Sequence, residues 1–532
     1  MPVCLPSGVF LKASRPQKLL IWRNVLIAFG SGLLMFLAAP PARLWPLGWI
    51  ALAPLYCLCL GTPRSGSALV YGLAWGIGFY GATLAWITHL HPLTWMGVPW
   101  LGSVAIATFA WVTVTAWGTA CVIVWCGIVN WLRRYPWQLR IVLAITLWAA
   151  LETLRSISPL DWASLALTQS PDNLLGLHLT RLSGPTTLVA LMVAVNCLLG
   201  ESWRRRQLNL VGWSPLLIAL LLLAGGHLIG ASSYWTTDIQ GFQSHRLGLI
   251  QGNISTRKKL TPAGVRAALE NYGQGYLQLV QQGAAAVLTP EGAIPTVWRE
   301  NGNGVNPLAA TVQAAKVPLW LGTFVPVSAQ ATELTQSLIE VGPQGNMLGR
   351  YNKIRLVPLG EYLPLENMLG NIIGRLSPLD SYLVAGDRQQ IFKTSLGPAI
   401  VSICYESAYS SLLRQQAALG GQFMLTASNN DPYPPWMMIQ HHALDVIRAV
   451  EVDRWALRAT NTGLSGIVDN RGGSRWLSIP DTYTLHLGTI YLRTTQTPYV
   501  RWGNWLLPLL GAVSLFSLGW QQQKSKSQNS LY

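Results

Sequence analysis

The stretch that decides the fold of this 532-residue chain reads Pro398-Ala-Ile-Val-Ser-Ile-Cys404-Tyr-Glu406. Its apolar, partly β-branched run predicts a buried strand over 399–404. The strand ends on Cys404, the only cysteine after residue 197. Because strand ends hold reactive groups on a rigid scaffold, Cys404 is a candidate nucleophile. The alternative is a small buried side chain that serves only packing.

Further apolar segments of strand length lie on both sides of this one. Between 240 and 495, the sequence predicts a helix over 262–282 and strands at 246–252, 284–290, 318–324, 338–342 and 424–428. Strands that alternate with helical patterns are typical of layered α/β folds. We therefore predict an α/β sandwich domain over 240–495, with reactive side chains at strand ends.

The rest of the chain has the composition of a membrane protein. Hydrophobic residues make up 51% of the chain and charged residues 11%, against roughly 25% charged residues in soluble domains. A helix needs about 20 largely apolar residues to cross a bilayer. The sequence predicts eight such helices, near 22–39, 44–60, 68–88, 99–127, 139–157, 184–200, 214–232 and 503–520. Seven form a helical domain at 1–235 and the eighth lies in a C-terminal segment at 500–532, so the α/β domain is inserted between helices.

The basic residues predict the orientation, since Lys and Arg in short loops stay in the cytoplasm. With eight helices, the basic positions at 12–23, 64, 133–140, 204–206 and 524–526 all fall on one side of the membrane. The short loop 89–98 on the opposite side has no Lys or Arg. This predicts a cytoplasmic C-terminal tail and an extracytoplasmic α/β domain. The net charge of +16 is then an orientation signal rather than a nucleic-acid footprint, and no cleavable signal peptide is apparent.

Glu291 and Lys353 are the residues that would make Cys404 reactive. Glu291 follows a predicted strand in Leu288-Thr-Pro-Glu-Gly292, and Lys353 lies in Arg350-Tyr-Asn-Lys-Ile354. A thiol of pKa about 8.5 is mostly protonated at neutral pH, so it needs a base such as a buried carboxylate. A lysine can stabilise the thiolate and the oxyanion of a tetrahedral intermediate, and the product would be a thioester. The cysteines lack metal-ligand spacing with the histidines, so we expect neither a metal nor a cofactor.

The order and spacing of the polar motifs resemble the nitrilase superfamily and, within it, the apolipoprotein N-acyltransferase family. The resemblance covers nearly the whole chain, including the helical part. Its motifs are Leu249-Ile-Gln-Gly-Asn-Ile254, Pro290-Glu291-Gly-Ala-Ile-Pro295, Tyr351-Asn-Lys353, Leu356-Val-Pro-Leu-Gly-Glu361-Tyr-Leu-Pro364, Ile403-Cys404-Tyr405-Glu406, Ser428-Asn-Asn-Asp431, Gln440-His441 and Arg458-Ala-Thr-Asn461-Thr-Gly463. Each motif alone is weak, whereas the ordered set is specific.

The resemblance implies a nitrilase-like αββα sandwich inserted between helices of an eight-helix transmembrane bundle. It also implies that an acyl chain passes from a membrane phospholipid, through a cysteine thioester, to the N-terminal amine of a diacylglyceryl-cysteine lipoprotein. The reaction would take place at the outer face of the bacterial inner membrane. Glu291 would be the general base, Lys353 the oxyanion stabiliser and Cys404 the nucleophile.

Neighbouring residues of the same motifs have supporting roles under this resemblance. Glu361 would support the catalytic trio or relay protons beside it, while Tyr405 and Glu406 would hold the loop of the nucleophile. For Glu361 and Glu406, the alternative is a structural ion pair or a hydrogen-bonded carboxylate. We also expect the chain to act as a monomer in contact with membrane lipids, without nucleic acid.

The chain departs from the family pattern around the expected lipid pocket. Thr289 and Leu260 stand where the family has tryptophans, and Pro432-Tyr-Pro-Pro-Trp436 replaces the usual aromatic continuation. Trp436 or Tyr433 would supply the missing aromatic surface for substrate binding, with simple packing as the alternative. Large apolar side chains in the segments 362–383 and 431–440 predict a mobile lid over the thiol, again with packing on the domain core as the alternative.

Trp148, Glu152 and Arg155 lie on one face of the fifth predicted helix. Ionisable groups inside a membrane are costly and usually functional. This face is therefore a candidate for binding a lipid head group or for docking the α/β domain. The alternative is an i, i+3 pair of Glu152 and Arg155 that reaches the membrane interface.

Two other classes of function stay open at this point. A membrane-tethered amidase of the nitrilase type would use the same trio with water as the acceptor. A non-enzymatic transporter or scaffold would use the helices alone. Against the second class, the sequence shows no paired helices broken by Gly and Pro, and no acidic residue before Glu152.

Overall fold

The structure is a computed structural model that describes residues 15–208, 212–299, 307–328, 333–358, 360–362 and 383–529. These residues form a helical part, an α/β domain and a C-terminal helix. The C-terminal helix returns to the helical part, where Ser514 Oγ lies 2.8 Å from Thr146 Oγ1. The α/β domain is therefore inserted between the helical part and the C-terminal helix.

The helices of the helical part present apolar side chains to their surroundings as well as to one another. Leu221 and Leu228, for example, are 62% and 70% exposed, as expected where lipid covers the surface. The helices are α1 Arg15–Ala38, α2 Ala53–Gly61, α3 Ser65–Gly76, α4 Trp100–Trp131, α5 Trp137–Ile157, α6 Leu174–Leu177, α7 Thr180–Ser183, α8 Pro185–Gln207 and α9 Trp213–Thr236.

The structure does not confirm the predicted count of eight membrane-crossing helices. Within the described ranges, five helices are long and apolar enough to cross a bilayer, at Leu20–Ala38, Trp100–Arg134, Trp137–Ile157, Pro185–Gln207 and Trp213–Thr236. These five correspond to predicted segments 22–39, 99–127, 139–157, 184–200 and 214–232. The other three predicted segments have a different local structure.

Two of these segments are divided because the apolar composition continues where the helix does not, whereas the third lies in one helix with a polar end. Segment 44–60 divides into a 3₁₀ turn at Trp45–Trp49 and the short α2, each with a proline in its first turn, because proline begins a helical segment but cannot continue one. Segment 68–88 divides into α3, a π turn at Ile77–Gly81 and a 3₁₀ turn at Ala85–Leu90. Segment 503–520 falls in a helix at Leu506–Asn529, whose later turns carry glutamines and lysines.

In the part of the chain that the structure describes, the strands of the α/β domain form two six-stranded sheets. The strands are β1 Gln243–Gln251, β2 Ala286–Leu288, β3 Leu319–Pro326, β4 Leu334–Val341, β5 Met347–Asn352, β6 Phe392–Thr394, β7 Gly397–Ile403, β8 Phe423–Ser428, β9 Ala456–Thr460, β10 Gly466–Val468, β11 Ser474–Leu477 and β12 Thr484–Leu492. The sheet orders are β12-β1-β2-β3-β4-β5 and β11-β10-β9-β8-β7-β6. In each sheet the three central strands run parallel, so their carboxyl ends lie at one edge.

The two sheets pack face to face between helices, as the αββα prediction requires. Alternate strand residues face opposite layers: Ile250 and Leu319 pack with the helix side of the first sheet, whereas Trp320 packs toward the second sheet. There the ring of Trp320 lies 5.7 Å from that of Phe423. The helices are α10 Thr256–Lys259, α11 Pro262–Gln281, α12 Pro307–Ala315, α13 Ser410–Ala418, α14 Pro435–Val452, α15 Pro498–Trp502 and α16 Leu506–Asn529.

The predicted strands of this domain are confirmed with shifted ends, as β1, β2, β3, β4, β7 and β8. In the predicted lid segment 431–440, the residues from 435 onward are helical, because α14 begins at Pro435. Proline is favoured in the first turn of a helix, where its fixed φ is already helical and its missing N–H is not needed. The other lid segment, 362–383, lies outside the described residues apart from its two terminal positions.

The start of α14 joins the domain to the helical part. Gln440 Nε2 donates to the carbonyls of Pro40 and Thr83, both 3.1 Å away. Gln440 Oε1 accepts a hydrogen bond from Trp162 Nε1 over 2.8 Å. Gln440 is wholly buried, so this junction fixes the domain at the ends of the membrane helices.

Candidate active site

Cys404 lies at the carboxyl end of β7 in a strained backbone conformation. Its φ is +52°, in the left-handed region that residues other than glycine rarely adopt. Its Sγ donates to the carbonyl of Asn429 over 3.7 Å, and the residue is 9% exposed. Such strain costs about 1–3 kcal/mol and is retained mainly at functional positions. The backbone therefore favours a reactive thiol over a packing cysteine.

Glu291 follows β2 and is held through both carboxylate oxygens. Oε1 accepts from Lys353 Nζ over 2.8 Å, and Oε2 accepts from the backbone N–H of Asn429 over 2.9 Å. Glu291 is buried. Since Asn429 offers its N–H to Glu291 and its carbonyl to the Cys404 thiol, its backbone holds the carboxylate and the thiol side by side.

Lys353 follows β5 and brings a positive charge into the same group. Its side chain is 1% exposed, and Nζ lies 2.8 Å from Glu291 Oε1 and 2.5 Å from Glu361 Oε1. An ammonium group has three N–H donors. Among the described residues, two of the three are satisfied by these carboxylates, which leaves one for a substrate oxygen.

Burial and neighbouring charges set the resting protonation of the trio. The pKa of the Cys404 thiol is raised to about 12, first by burial and then by the charge of Glu291, against the opposing charge of Lys353. Burial acts to lower the pKa of Lys353, but Glu291 and Glu361 outweigh it and hold that pKa well above its ordinary value. At neutral pH the thiol is therefore protonated and the lysine charged, so attack by sulfur needs a proton acceptor.

Glu361 lies on the other side of the Lys353 ammonium group. One of its oxygens contacts Nζ, and the other accepts from the backbone N–H of Val357 over 2.8 Å. Burial raises the pKa of Glu361, and the charge of Lys353 opposes that rise. These contacts are those of an ion-paired carboxylate that positions Lys353.

Glu406 joins the strand of the nucleophile to the loop of the lysine. Its Oε2 accepts from the N–H of Ile403 over 2.8 Å, and its Oε1 accepts from the N–H of Ile354 over 2.6 Å. Burial raises its pKa to about 7. Because Ile403 precedes Cys404 and Ile354 follows Lys353, this carboxylate fixes the spacing between the backbone at Cys404 and the backbone at Lys353.

Tyr405 links the nucleophile's loop to the helical part. Its hydroxyl donates to the carbonyl of Pro159 over 2.7 Å and accepts from the hydroxyl of Tyr409 over the same distance. Its ring is stacked on that of Trp162, with an interplanar angle of 5°. The loop that follows α5 thus contacts the residue directly after the thiol.

His441 is close to Cys404, but both of its ring nitrogens are engaged elsewhere. Nε2 donates to the backbone carbonyl of Cys404 over 2.9 Å, and Nδ1 accepts from Asn430 Nδ2 over 3.0 Å. Burial lowers the pKa of His441 well below its ordinary value, so the ring is neutral. Glu291 is therefore the base that the geometry offers to the thiol. Within the described ranges, no group of three or more His, Cys, Asp or Glu side chains could hold a metal ion.

The two aromatic residues of the 432–436 segment lie in different surroundings. Burial, and then the charges of Cys404 and Glu361, raise the pKa of Tyr433, whose ring meets that of Trp86 edge-on at 4.9 Å. Trp436 lies in the first turn of α14, where its ring meets that of His89 at 5.0 Å. The charge of Cys404 therefore acts on Tyr433, whereas the described ring contact of Trp436 is with His89 of the helical part.

Trp148, Glu152 and Arg155 come together, but the alternative i, i+3 ion pair of Glu152 and Arg155 is not among the described ion pairs. Glu152 accepts hydrogen bonds from Trp148 Nε1 over 3.1 Å and from the loop at 158–165. Arg155 instead pairs with Asp161, with Nε 3.4 Å from Oδ1. The loop offers each charged group a nearer partner. Their described contacts therefore support the junction with the α/β domain and do not include the catalytic trio.

Lys259 is a charged residue of the site that no motif indicated. It ends α10 and is 3% exposed, and its Nζ makes no hydrogen bond to a residue that the structure describes. Burial lowers its pKa to about 8, against the charges of Glu291 and Asp431. Nζ lies 3.8 Å from the position that a Cβ on Gly292 would occupy. The one signal in the sequence was its position beside Leu260, where the chain departs from the family pattern.

Comparison with known proteins matches both parts of the chain. Residues 31–198 match the family described as apolipoprotein N-acyltransferase N-terminal domain, and residues 246–479 match the family described as carbon-nitrogen hydrolase. An apolipoprotein N-acyltransferase of Nostoc sp. is 45% identical over 491 residues, which cover 91% of this chain and 97% of that protein. A protein of the same name from Thermosynechococcus vestitus is 44% identical over 91% of this chain and 94% of its own length. Another, from Gloeobacter violaceus, is 34% identical over 96% of this chain and 97% of its own length.

Proposed function

The chain belongs to the apolipoprotein N-acyltransferase family, and from this premise we propose that Glu291, Lys353 and Cys404 perform its chemistry. The protein is a membrane acyltransferase of lipoprotein maturation. It transfers an acyl chain from a phospholipid, through a cysteine thioester, to the N-terminal amine of a diacylglyceryl-cysteine lipoprotein. The observation that supports this site is the meeting of a carboxylate, an ammonium group and a thiol from three different strand ends in one buried group.

In the first half-reaction, the Cys404 sulfur attacks the ester carbonyl of the phospholipid. Glu291 takes the thiol proton as the C–S bond forms, and the remaining N–H of Lys353 donates to the oxyanion. The C–O bond to the glycerol then breaks, and the leaving oxygen takes the proton from Glu291. The products are a thioester on Cys404 and a lysophospholipid.

In the second half-reaction, the neutral amine of the lipoprotein attacks the thioester carbonyl. Glu291 takes a proton from the amine as the C–N bond forms, and Lys353 again stabilises the oxyanion. The C–S bond then breaks, and the sulfur recovers its proton from Glu291. The product is an N-acylated lipoprotein, and the free enzyme is restored.

A direct test supplies both acceptors to the purified protein. With labelled phospholipid and a synthetic diacylglyceryl-cysteine peptide in water, the label should appear in an amide of the peptide, measured by mass spectrometry. An amidase that uses water as the acceptor would release labelled fatty acid and leave the peptide unchanged. The second result would contradict the acyltransferase proposal.

We further propose that the α/β domain lies outside the cytoplasm, in contact with the outer leaflet of the bacterial inner membrane. The support is the position of Arg64, Arg133, Arg134 and the 204–206 run, which lie at helix ends away from the junction at Gln440. Reporter fusions after residues 65, 136 and 207 should give cytoplasmic signals, and a fusion near residue 300 should give an external one. A cytoplasmic signal near residue 300 would contradict this orientation.

A further inference from the structure

A cavity of about 980 Å³ lies in the helical part, and none of its lining residues belongs to the described α/β domain. Its walls come from α1, α2, α3, α8 and α9. The domain contacts Pro40, after α1, and the ring of Tyr499 packs on Gly184, before α8. Arg23 and Arg206 mark the part of the cavity at the opposite ends of these two helices, and its wall extends from there along α1 as far as Leu34. Its volume is at the upper end of the roughly 300–1,000 Å³ that small-molecule sites occupy.

The lining combines an extended apolar wall with a group of arginines. The wall includes Leu34, Ile50, Leu58, Leu199 and Leu216. The arginines are Arg23, Arg64 and Arg206, and no Asp or Glu is among the lining residues that the structure describes. The cavity is thus apolar along its length and positive at its rim.

Among the residues that the structure describes, these arginines have no acidic partner. No ion pair or side-chain hydrogen bond joins any of the three to a described residue, and the guanidinium group of Arg206 lies over the ring of Trp213. The acid nearest in sequence, Glu201, is already paired with Arg140 over 2.7 Å. A guanidinium group prefers a bidentate anion such as a phosphate or carboxylate, and such an anion would complement the three arginines of the rim.

We propose that this cavity binds an anionic phospholipid, with its phosphate at Arg23, Arg64 and Arg206 and its acyl chains along the apolar wall. Basic pockets between transmembrane helices on the cytoplasmic side are known to bind lipid head groups. Arginines that only set the orientation of the protein in the membrane could lie anywhere on the water-exposed surface, whereas these three line a concave apolar space. A lipid in this position would fill the gap between α1 and its neighbours α2 and α8, and so would stabilise the packing of α1.

This lipid is distinct from the acyl donor. Helix α8 has 23 residues and is therefore roughly 35 Å long, with the junction to the catalytic domain at one end and the cavity at the other. An ester held at the cavity is out of reach of Cys404. The inference therefore stands whether or not the proposed reaction is correct.

Native mass spectrometry of the full-length protein can test the proposal, with phosphatidylglycerol and phosphatidylcholine as probes. The wild-type protein should retain the anionic lipid in preference, by about 10- to 100-fold for three arginine contacts. The variant Arg23→Gln/Arg64→Gln/Arg206→Gln should lose that preference. The matched control Arg134→Gln/Lys524→Gln/Lys526→Gln removes the same charge from the same end of the helical part, outside the cavity, and should keep it.

Equal retention of the two lipids by the wild-type protein would overturn the proposal. A loss of preference in the control variant as large as that in the triple arginine variant would also overturn it. Displacement of the lipid by inorganic phosphate alone would also overturn it, because the apolar wall would then contribute nothing. If the triple variant does not fold, each single Arg→Gln variant should lower the preference for the anionic lipid in part. An unchanged preference in all three single variants would count against the site. Thioester formation on Cys404, measured in parallel, should remain in the variants.

Discussion

Lys353 Nζ lies 2.8 Å from Glu291 Oε1, and both side chains are almost wholly buried. A buried ion pair loses so much hydration that it is weak evidence for stability, so its place beside the Cys404 thiol indicates a chemical role. The backbone N–H of Asn429 holds the other oxygen of Glu291. These contacts hold Glu291, the proposed proton acceptor, and Lys353, the proposed oxyanion donor, in fixed positions relative to each other.

The first prediction separates the roles of these two residues. Glu291→Gln keeps the shape of the side chain but removes the proton acceptor, so thioester formation should fall by about 100- to 10,000-fold. Lys353→Met removes the oxyanion donor and should cost about 100- to 1,000-fold. Single-turnover acylation with labelled phospholipid measures both rates.

Folding must be controlled in this comparison, because Lys353→Met leaves two carboxylates without their cation. The double variant Lys353→Met/Glu361→Gln restores the buried charge balance and should unfold at a higher temperature than the single variant, yet stay inactive. A near-normal rate in Glu291→Gln or Lys353→Met would remove that residue from the mechanism.

The second prediction concerns the ionisation of the thiol. Because the charge of Glu291 helps to raise the pKa of Cys404 to about 12, Glu291→Gln should lower that pKa. Alkylation of Cys404 by iodoacetamide, followed by peptide mass spectrometry across pH 7 to 11, should therefore begin at a lower pH in Glu291→Gln than in the wild-type protein. The same variant should transfer less acyl chain. If alkylation begins at a higher pH in the variant, the charge of Glu291 does not act on the thiol as described.

The third prediction concerns the stability cost of Lys259. Burial lowers its pKa to about 8 from an ordinary value of 10.5. Between these values the unfolded chain keeps a proton that the folded chain has released, so stability rises with pH in this window. Lys259→Met lacks this contribution. It should therefore have a higher Tm than the wild-type protein at pH 7, and the difference should shrink as pH rises from about 8 to 10.

A buried charge that costs stability is often retained for function, so Lys259→Met should also slow thioester formation. The neighbouring Lys258 is exposed, and Lys258→Met is the matched control, which should change neither property. A Tm for Lys259→Met at pH 7 equal to or below that of the wild-type protein would show that the ammonium group stabilises the fold instead.

The sequence singled out Glu291, Lys353 and Cys404, each close behind a strand, and the structure brings the three together. The sequence missed contributions that arise only when distant segments meet. Lys259 enters the site because α10 packs beside the turn at Gly292, and no local pattern shows this contact. The role of the Asn429 backbone could not be predicted either, since its N–H and carbonyl would be present with almost any side chain at this position.

The same limit applies to the membrane part. Apolar composition predicts burial or lipid contact, but it does not show where a helix breaks. The divisions of 44–60 and 68–88 come from prolines and from π and 3₁₀ turns. For Glu152 and Arg155, helical spacing predicted a mutual pair, whereas the loop at 158–165 supplies closer partners.

The fourth prediction tests whether this face of α5 is structural. Glu152 accepts three hydrogen bonds from described groups, and a lost bond to a charged group costs about 1–3 kcal/mol. Glu152→Ala should therefore lower the Tm while leaving the KM for phospholipid unchanged. Leu154→Ala, on the exposed side of the same helix, is the control for helix propensity. An unchanged Tm with a raised KM would instead assign Glu152 to the lipid head group.

The most direct test of the account is the covalent step at Cys404. The purified protein, incubated with labelled phospholipid and no acceptor, should acquire one acyl group on the peptide that contains Cys404, and neutral hydroxylamine should remove it. Cys404→Ala should acquire none and should transfer none to a diacylated lipopeptide. Acyl transfer by Cys404→Ala, or turnover by the wild-type protein without an acyl group on this cysteine, would contradict the account.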